Sequence, residues 1–254
     1  MRFVKRTLCF LAALCLLCPS AMAASKKKQA KSTPAPPVVP EAIIQEVPDV
    51  IQQVLDLAYT EWQTVDGQRQ PNPNKYTKWR NKYKFGWCGG FITWCMLQLD
   101  IPQKEKNLIQ SGEVPGIVHV KEADVSKLSN GYTKMNRVTE IPQKGFLIVY
   151  GKKGGNGFWH VGLVYDAEKL PDGKYRLTTI EGNLNNTIRM FIHDYDPHAE
   201  KKSANLSYLP EEERTLEETA SFSYGRQYKK YDLYVNQFLM PWLPSEYMSE
   251  GAAP

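Results

Sequence analysis

The 254-residue sequence contains few cysteines, and most of them lie near the N-terminus. Cys9, Cys15 and Cys18 fall within the first 23 residues, which leaves Cys88 and Cys95 for the rest of the chain. These two lie in a stretch with helical character, about 10 Å apart along the helix axis. A disulfide needs Cα atoms roughly 4.4–6.8 Å apart. The sequence therefore predicts at least one free thiol and argues against a fold held by disulfides.

The chain also lacks an apolar run long enough to cross a bilayer. Residues 8–17 are apolar, but they follow a basic start at residues 1–6 and precede the small residues 21–23. This order is typical of a secretory signal peptide, and the apolar run is too short for a membrane span. We expect residues 1–23 to be cleaved from an exported protein that has no stable membrane association.

Net charge is small once the N-terminal region is set aside. The whole chain has 32 basic and 27 acidic residues, a net charge of +5. Three basic residues belong to the predicted signal peptide and four lysines follow at residues 26–31, whereas every acidic residue lies at Glu41 or later. The remainder has 25 basic and 27 acidic residues, a net charge of −2. Nucleic-acid binding depends on clustered basic residues, so this function class has no support.

Composition divides the rest of the chain into a linker, one domain and a tail. Residues 24–47 are rich in Lys, Ala and Pro, which predicts a disordered linker. Residues 48–240 contain neither an internal repeat nor a low-complexity break, and we expect them to form a single domain. Residues 241–254 are predicted to form a C-terminal tail.

Hydrophobic periodicity predicts helices first and strands afterwards. Apolar residues at helical spacing predict a four-turn helix after Pro48 and a buried helix that starts at Cys88 and stops before Pro102. Residues 63–84 are polar and are expected to form an irregular surface loop. Helices followed by strands along the chain favour an α+β fold with an antiparallel sheet. Five runs rich in β-formers follow, at residues 145–150, 158–165, 174–181, 187–193 and 231–239.

Three short segments contain the groups of a cysteine hydrolase. Cys88 lies in Gly-Trp-Cys-Gly-Gly-Phe-Ile-Thr-Trp-Cys, His160 in Trp-His-Val-Gly-Leu-Val-Tyr, and Glu181 with Asn183 in Thr-Ile-Glu-Gly-Asn. In such enzymes a histidine activates the thiol and a third group orients the histidine. The sequence therefore predicts that these residues meet in one site.

A hairpin would bring the histidine and the carboxylate together. If residues 166–174 close it, His160 falls opposite Ile180, and a slip of one residue places Glu181 opposite His160. Directly opposed residues share a sheet face. Asn183 lies on the same side as Glu181 if the strand continues.

The three segments resemble those of the CHAP family, the cysteine- and histidine-dependent amidohydrolases and peptidases of bacterial cell walls. The resemblance covers roughly residues 50–196, with the segments in family order. It implies a papain-like α+β fold in which N-terminal helices, including the nucleophile helix, pack on the antiparallel sheet. It also implies that Cys88 is the nucleophile, His160 the general base and acid, Glu181 the orienting group and Asn183 a supporting polar residue.

The chain departs from the family pattern at three positions. Gly89 and Gly90 follow the cysteine where alanine and a larger residue are frequent, and Trp159 precedes the histidine where a small or polar residue is common. Trp87 and Trp159 flank the predicted pair, and they either line a substrate groove, pack in the core or simply shield the pair. Cys95 is expected to be a core residue.

We expect neither a cofactor nor a metal ion, and we expect His119 to lie on the surface. One group of residues has the side chains that a metal cluster would use, but Pro197 and the loose spacing argue against it. That set comprises His193, Asp194, Asp196 and His198.

The predicted function is that of an exported cysteine amidase or endopeptidase. It would hydrolyse amide bonds in the stem or crosslink peptides of peptidoglycan, as a monomer, in the cell wall, the periplasm or the extracellular space. One alternative is an NlpC-type thiol peptidase, although these prefer an Asp-Cys-Ser-Gly start and a second histidine as the orienting group. The other alternative is a non-catalytic wall-binding protein on the same fold.

Overall fold

Helices come first and strands follow in the computed structural model, which describes residues 47–80, 85–109, 116–152, 157–199 and 233–244. The α+β class with an antiparallel sheet is confirmed. The elements in these residues are α1 (Asp49–Val65), α2 (Lys75–Lys78), α3 (Cys88–Leu97), α4 (Gln103–Leu108), α5 (Val125–Lys134), β1 (Val138–Thr139), β2 (Leu147–Lys152), β3 (Phe158–Lys169), β4 (Tyr175–Leu184), β5 (Thr187–Tyr195) and β6 (Leu233–Leu239).

The predicted ends of the chain fall mostly outside the described residues. The signal peptide, the linker up to residue 46 and residues 245–254 of the tail are not among them. Residues 241–244 are described, and Trp242 is buried there against Phe146. Its indole N–H donates to the Lys144 carbonyl at 3.1 Å. The packed core therefore continues to Trp242.

The two long predicted helices are present as α1 and α3. α1 is amphipathic and buries Ile51, Val54, Leu55 and Ala58 along one side, as its periodicity predicts. α3 is apolar most of the way round and packs against β3 and β4. No helix in the described part of the chain combines the length and the apolar character that spanning a membrane requires.

The prediction of a surface loop at residues 63–84 is wrong at its centre. Asn74 caps the short helix α2 by accepting from the Tyr76 N–H at 3.0 Å. Tyr76 is fully buried, and its hydroxyl donates to the Glu61 carboxylate at 2.6 Å. The segment is polar in sequence because its charged and amide groups form this cap and pair with α1, while the tyrosine ring enters the core.

The sheet has six antiparallel strands in the order β1-β6-β2-β3-β4-β5. All five predicted runs form strands, with residues 231 and 232 of the last run outside the described residues. Asn185 and Asn186 join β4 to β5 with φ of 54° and 62°. Two successive left-handed residues give the tight turn whose twist matches a hairpin, and asparagine tolerates that conformation.

The predicted register of the β3–β4 hairpin is wrong. β3 runs on to Lys169, which pairs with Tyr175, and the pairing shifts between Val164 and Asp166. Leu163, three residues after His160, consequently faces Ile180. On the opposite edge of β3, His160 pairs with Tyr150 of β2. Because β3 is longer than predicted and contains a bulge, β3 and β4 are shifted along each other from the register that a hairpin closed by residues 166–174 would give.

Candidate active site

Cys88 is the first residue of α3, where the helix begins against the sheet. Its side chain is 6% exposed and the thiol is free. Gly89 follows because the helix start lies very close to a neighbouring loop: a Cβ there would be 2.5 Å from the Ala123 carbonyl oxygen. Glycine at this position is therefore a packing requirement of this chain.

His160 connects the thiol to a buried carboxylate. Its Nε2 lies 2.9 Å from Oε2 of Glu181, and the imidazole is also within hydrogen-bonding reach of the Cys88 thiol. His160 is 4% exposed and Glu181 is fully buried. The structure thus places the predicted thiol, imidazole and carboxylate in one continuous chain, although the predicted register was wrong.

Glycine at position 162 makes room for this carboxylate. One step along the ladder from the Leu163–Ile180 pair brings Glu181 level with Gly162. A Cβ on Gly162 would lie 2.7 Å from Cγ of Glu181, a separation that real Cβ atoms essentially never show. Glu181 can therefore cross β3 and reach His160 because residue 162 has no side chain.

Two hydroxyl groups hold the other oxygen of the carboxylate. Tyr150 donates to Glu181 Oε1 at 2.7 Å, and Thr179 donates to the same atom at 2.8 Å. The Tyr150 hydroxyl also lies 3.3 Å from Nε2 of the buried His193. These hydrogen bonds compensate the carboxylate for its loss of water.

The environment favours a charged thiolate–imidazolium pair. Burial alone would raise the pKa of Cys88, but the adjacent His160 and the backbone N–H groups of Gly89 and Val161 lower it below its usual value. Burial would likewise lower the pKa of His160, yet Cys88 and Glu181 raise it to about 9. The helix N-terminus adds a further stabilising effect on the thiolate.

Asn183 lies beside the segment that leads into α3. Its backbone is left-handed, with φ of 66°, at the bulge that interrupts the β4–β5 ladder. The side-chain nitrogen would be 3.6 Å from a Cβ on Gly86, two residues before Cys88. Asn183 therefore borders the thiol side of the site, and its supporting role stays a prediction.

The two flanking tryptophans occupy different environments. Trp87 is fully buried and stacks on Tyr76 with ring centroids 5.0 Å apart, so it packs in the core. Trp159 is 38% exposed, and its ring centroid lies 5.8 Å from that of His160. Trp159 is thus the one of the two that an incoming substrate can touch.

Cys95 is buried, as predicted, about two turns along α3 from Cys88. It is a free thiol, 1% exposed. Burial first, and then the charge of Glu61, raise the pKa of Cys95 well above its usual value. The side chain therefore stays a neutral thiol, which is a poor nucleophile.

The expectation that His119 lies on the surface is wrong. His119 is 2% exposed, with Nε2 2.9 Å from the Thr93 hydroxyl and Nδ1 3.1 Å from that of Tyr132. Burial lowers the pKa of His119 to about 3. It is a neutral core histidine whose partners come from α3 and α5.

The residues considered for a metal cluster have other partners. His193 is buried behind Tyr150, and Asp194 pairs with Arg176 at 3.3 Å. Asp196 accepts from the His198 backbone N–H at 2.9 Å. In the segments that the structure describes, no three His, Cys, Asp or Glu side chains are grouped so that they could hold a metal ion.

Sequence reasoning missed Tyr150 and Thr179 as parts of this site. Tyr150 ends an apolar run and has the pattern of an ordinary core aromatic. Thr179 is two residues before Glu181, and this spacing places both on one side of a strand. That parity was the available signal for Thr179.

Comparison of the chain with known proteins finds no matching family model, no matching curated protein and no matching solved structure.

Proposed function

We propose that this protein is an exported cysteine amidase or endopeptidase that hydrolyses amide bonds in peptidoglycan peptides. The observation that carries the proposal is the continuous chain from Cys88 through His160 to Glu181, with 2.9 Å between imidazole and carboxylate. A thiol at a helix start, an activating histidine and an orienting acid are what acyl transfer by a cysteine requires.

The first chemical step uses the charge pair. The Cys88 thiolate attacks the amide carbonyl carbon, an S–C bond forms, and the carbonyl π electrons move to oxygen. The backbone N–H groups of Gly89 and Val161, which stabilise the thiolate, are the donors nearest the reacting sulfur that could bind the developing oxyanion. When the C–N bond breaks, the His160 imidazolium gives its proton to the departing amine.

The second step regenerates the enzyme. Neutral His160 takes a proton from water as the water oxygen attacks the thioester carbon. The tetrahedral species then expels the Cys88 thiolate and releases a carboxylic acid, so one water is consumed for each amide cleaved. Glu181 keeps the imidazole in place through both steps and stabilises its charged form.

The substrate class and the papain-like, CHAP-type assignment rest on the sequence resemblance. The buried nucleophile helix packed on the sheet and the order of Cys88, His160 and Glu181 support them. The NlpC-type alternative, with a second histidine as the orienting group, has less support because His193 contacts Tyr150 while Glu181 occupies the position next to His160. The wall-binding alternative gives no reason for a cysteine whose surroundings favour the thiolate.

Digestion of purified sacculi tests the proposal. The mature protein should release soluble fragments, and mass spectrometry of the new termini should identify the cleaved amide. Cys88→Ala should be inactive, with Cys95→Ser as the matched thiol control that keeps activity. Retention of the protein on sacculi without new termini would instead support the wall-binding alternative.

A further inference from the structure

The phenol ring of Tyr150 contacts both members of the imidazole–carboxylate pair. The ring stacks on His160 with centroids 6.0 Å apart and an interplanar angle of 29°. The hydroxyl donates to Glu181 at 2.7 Å, and the whole side chain is buried. One residue of β2 thus touches groups from β3 and β4.

A hydroxyl has one proton, and this fixes the direction of the hydrogen bonds around Tyr150. The shorter contact, to the carboxylate, takes the proton because a charged acceptor forms the stronger bond. The Tyr150 oxygen then accepts from Nε2 of His193, 3.3 Å away. Burial lowers the pKa of His193 to about 4, so its imidazole is neutral and can carry the proton on that nitrogen.

Thr179 completes the environment of the same carboxylate oxygen. Its hydroxyl lies 2.8 Å from Oε1, and Thr179 is fully buried. With Oε1 bound by two donors, Oε2 is the oxygen that faces His160. Rotation of the carboxylate would break three hydrogen bonds at once.

We propose that the hydroxyl groups of Tyr150 and Thr179 are positioning groups that fix the Glu181 carboxylate against His160 and thereby maintain the reactive thiolate. The catalytic consequences of this inference rest on the proposed function. Its structural part, the coupling of the two hydroxyls to the state of Cys88, is measurable without any substrate.

The test compares Tyr150→Phe and Thr179→Val, which remove only the hydroxyls and keep side-chain volume. The rate of Cys88 alkylation by iodoacetamide is measured against pH, with Cys88→Ala as the blank. A buried carboxylate that loses a donor binds a proton more readily and supports the imidazolium less. We expect the alkylation midpoint to move upward by up to about one pH unit in each variant.

Tyr195→Phe is the matched control. The Tyr195 hydroxyl is a buried donor of the same kind, but it binds the Glu140 carbonyl at 2.8 Å and not the site. All three substitutions should lower thermal stability, whereas only the first two should change the alkylation profile. A merely structural role of Tyr150 would make its variant behave like the control.

Kinetics on sacculi supply the second readout. Tyr150→Phe should lower kcat on the order of tenfold, about 1.4 kcal/mol of barrier, with KM unchanged. An alkylation profile that matches Tyr195→Phe overturns the proposal, as does an unchanged kcat in a protein that cleaves sacculi. If the wild type fails to cleave sacculi, the peptidoglycan assignment fails, and the alkylation result still decides the role of the two hydroxyls.

Discussion

Replacing Gly162 with alanine should displace the Glu181 carboxylate and so lower the activity, although it removes none of the side chains of the site. The added Cβ would lie 2.7 Å from Cγ and 3.2 Å from Cδ of Glu181. Ordinary contacts between carbon atoms are about 3.5–4.0 Å. The carboxylate side chain must therefore move away by about 0.8 Å or more, or the two strands must separate by a similar amount.

The size of the effect follows from the geometry of the hydrogen bond. His160 Nε2 and Glu181 Oε2 are 2.9 Å apart, so a displacement of that size can stretch the contact to about 3.7 Å, beyond the hydrogen-bonding range of about 2.7–3.2 Å. A misplacement of about 1 Å in an active site can cost roughly a hundredfold in rate. We expect Gly162→Ala to lower kcat about a hundredfold while the sheet stays folded.

A double-mutant cycle with Glu181→Gln isolates the cause. Glu181→Gln alone should lower kcat by less than the roughly ten-thousandfold loss seen when a serine-protease triad loses its acid. In that background Gly162→Ala should add little, because the interaction it disturbs is already gone. The assay is kcat for the release of soluble fragments from sacculi, with thermal melting as the folding check. Wild-type kcat in Gly162→Ala, or an undiminished hundredfold loss in the Glu181→Gln background, would refute the reasoning.

Further predictions concern the thiols, a core histidine and the exposed tryptophan. Cys88→Ala and His160→Ala should abolish sacculus digestion, whereas Cys95→Ser should keep turnover and lower the melting temperature, since Cys95 is buried among core residues. Because the pKa of His119 is about 3 in the fold and about 6.5 when unfolded, only the unfolded chain binds a proton between these values, and stability falls as pH drops below 6.5. From pH 6.5 to 5 the free energy of unfolding should fall by about 2 kcal/mol. Urea titrations at the two pH values should show a smaller fall for His119→Gln. Trp159→Ala should raise KM for sacculi with little change in kcat, and equal KM values would remove Trp159 from the substrate surface.

The sequence predicted the element types, and it identified Cys88, His160 and Glu181, which the structure brings together, but it did not predict how the strands pair. The strands were visible because apolar β-formers recur between turn residues. The β3–β4 register was not, because β3 continues through the polar residues up to Lys169 and contains a bulge between Val164 and Asp166. Neither feature leaves a hydrophobic pattern. Glu181 reaches His160 through the space above Gly162, a contact that depends on a missing side chain.

Buried polar residues were the other limit of sequence analysis. We expected His119 to lie on the surface, yet it is buried, and Thr93 and Tyr132 lie within hydrogen-bonding distance of its two ring nitrogens. Tyr76 likewise enters the core, with Glu61 as its partner. Such partners lie 13 to 26 residues away along the chain, so no local pattern identifies them.

The state of the Cys88 thiol depends on folding, because the groups around it come from three separate elements, α3, β3 and β4. Cys88 and His160 are 72 residues apart in sequence, and an unfolded chain would leave the thiol with an ordinary pKa of about 8.5. The environment that favours the Cys88 thiolate therefore exists only in the folded protein, and any local opening that separates α3 from the sheet should remove it. Substitutions far from the site, if they only increase the population of opened molecules, would reduce the active fraction in proportion.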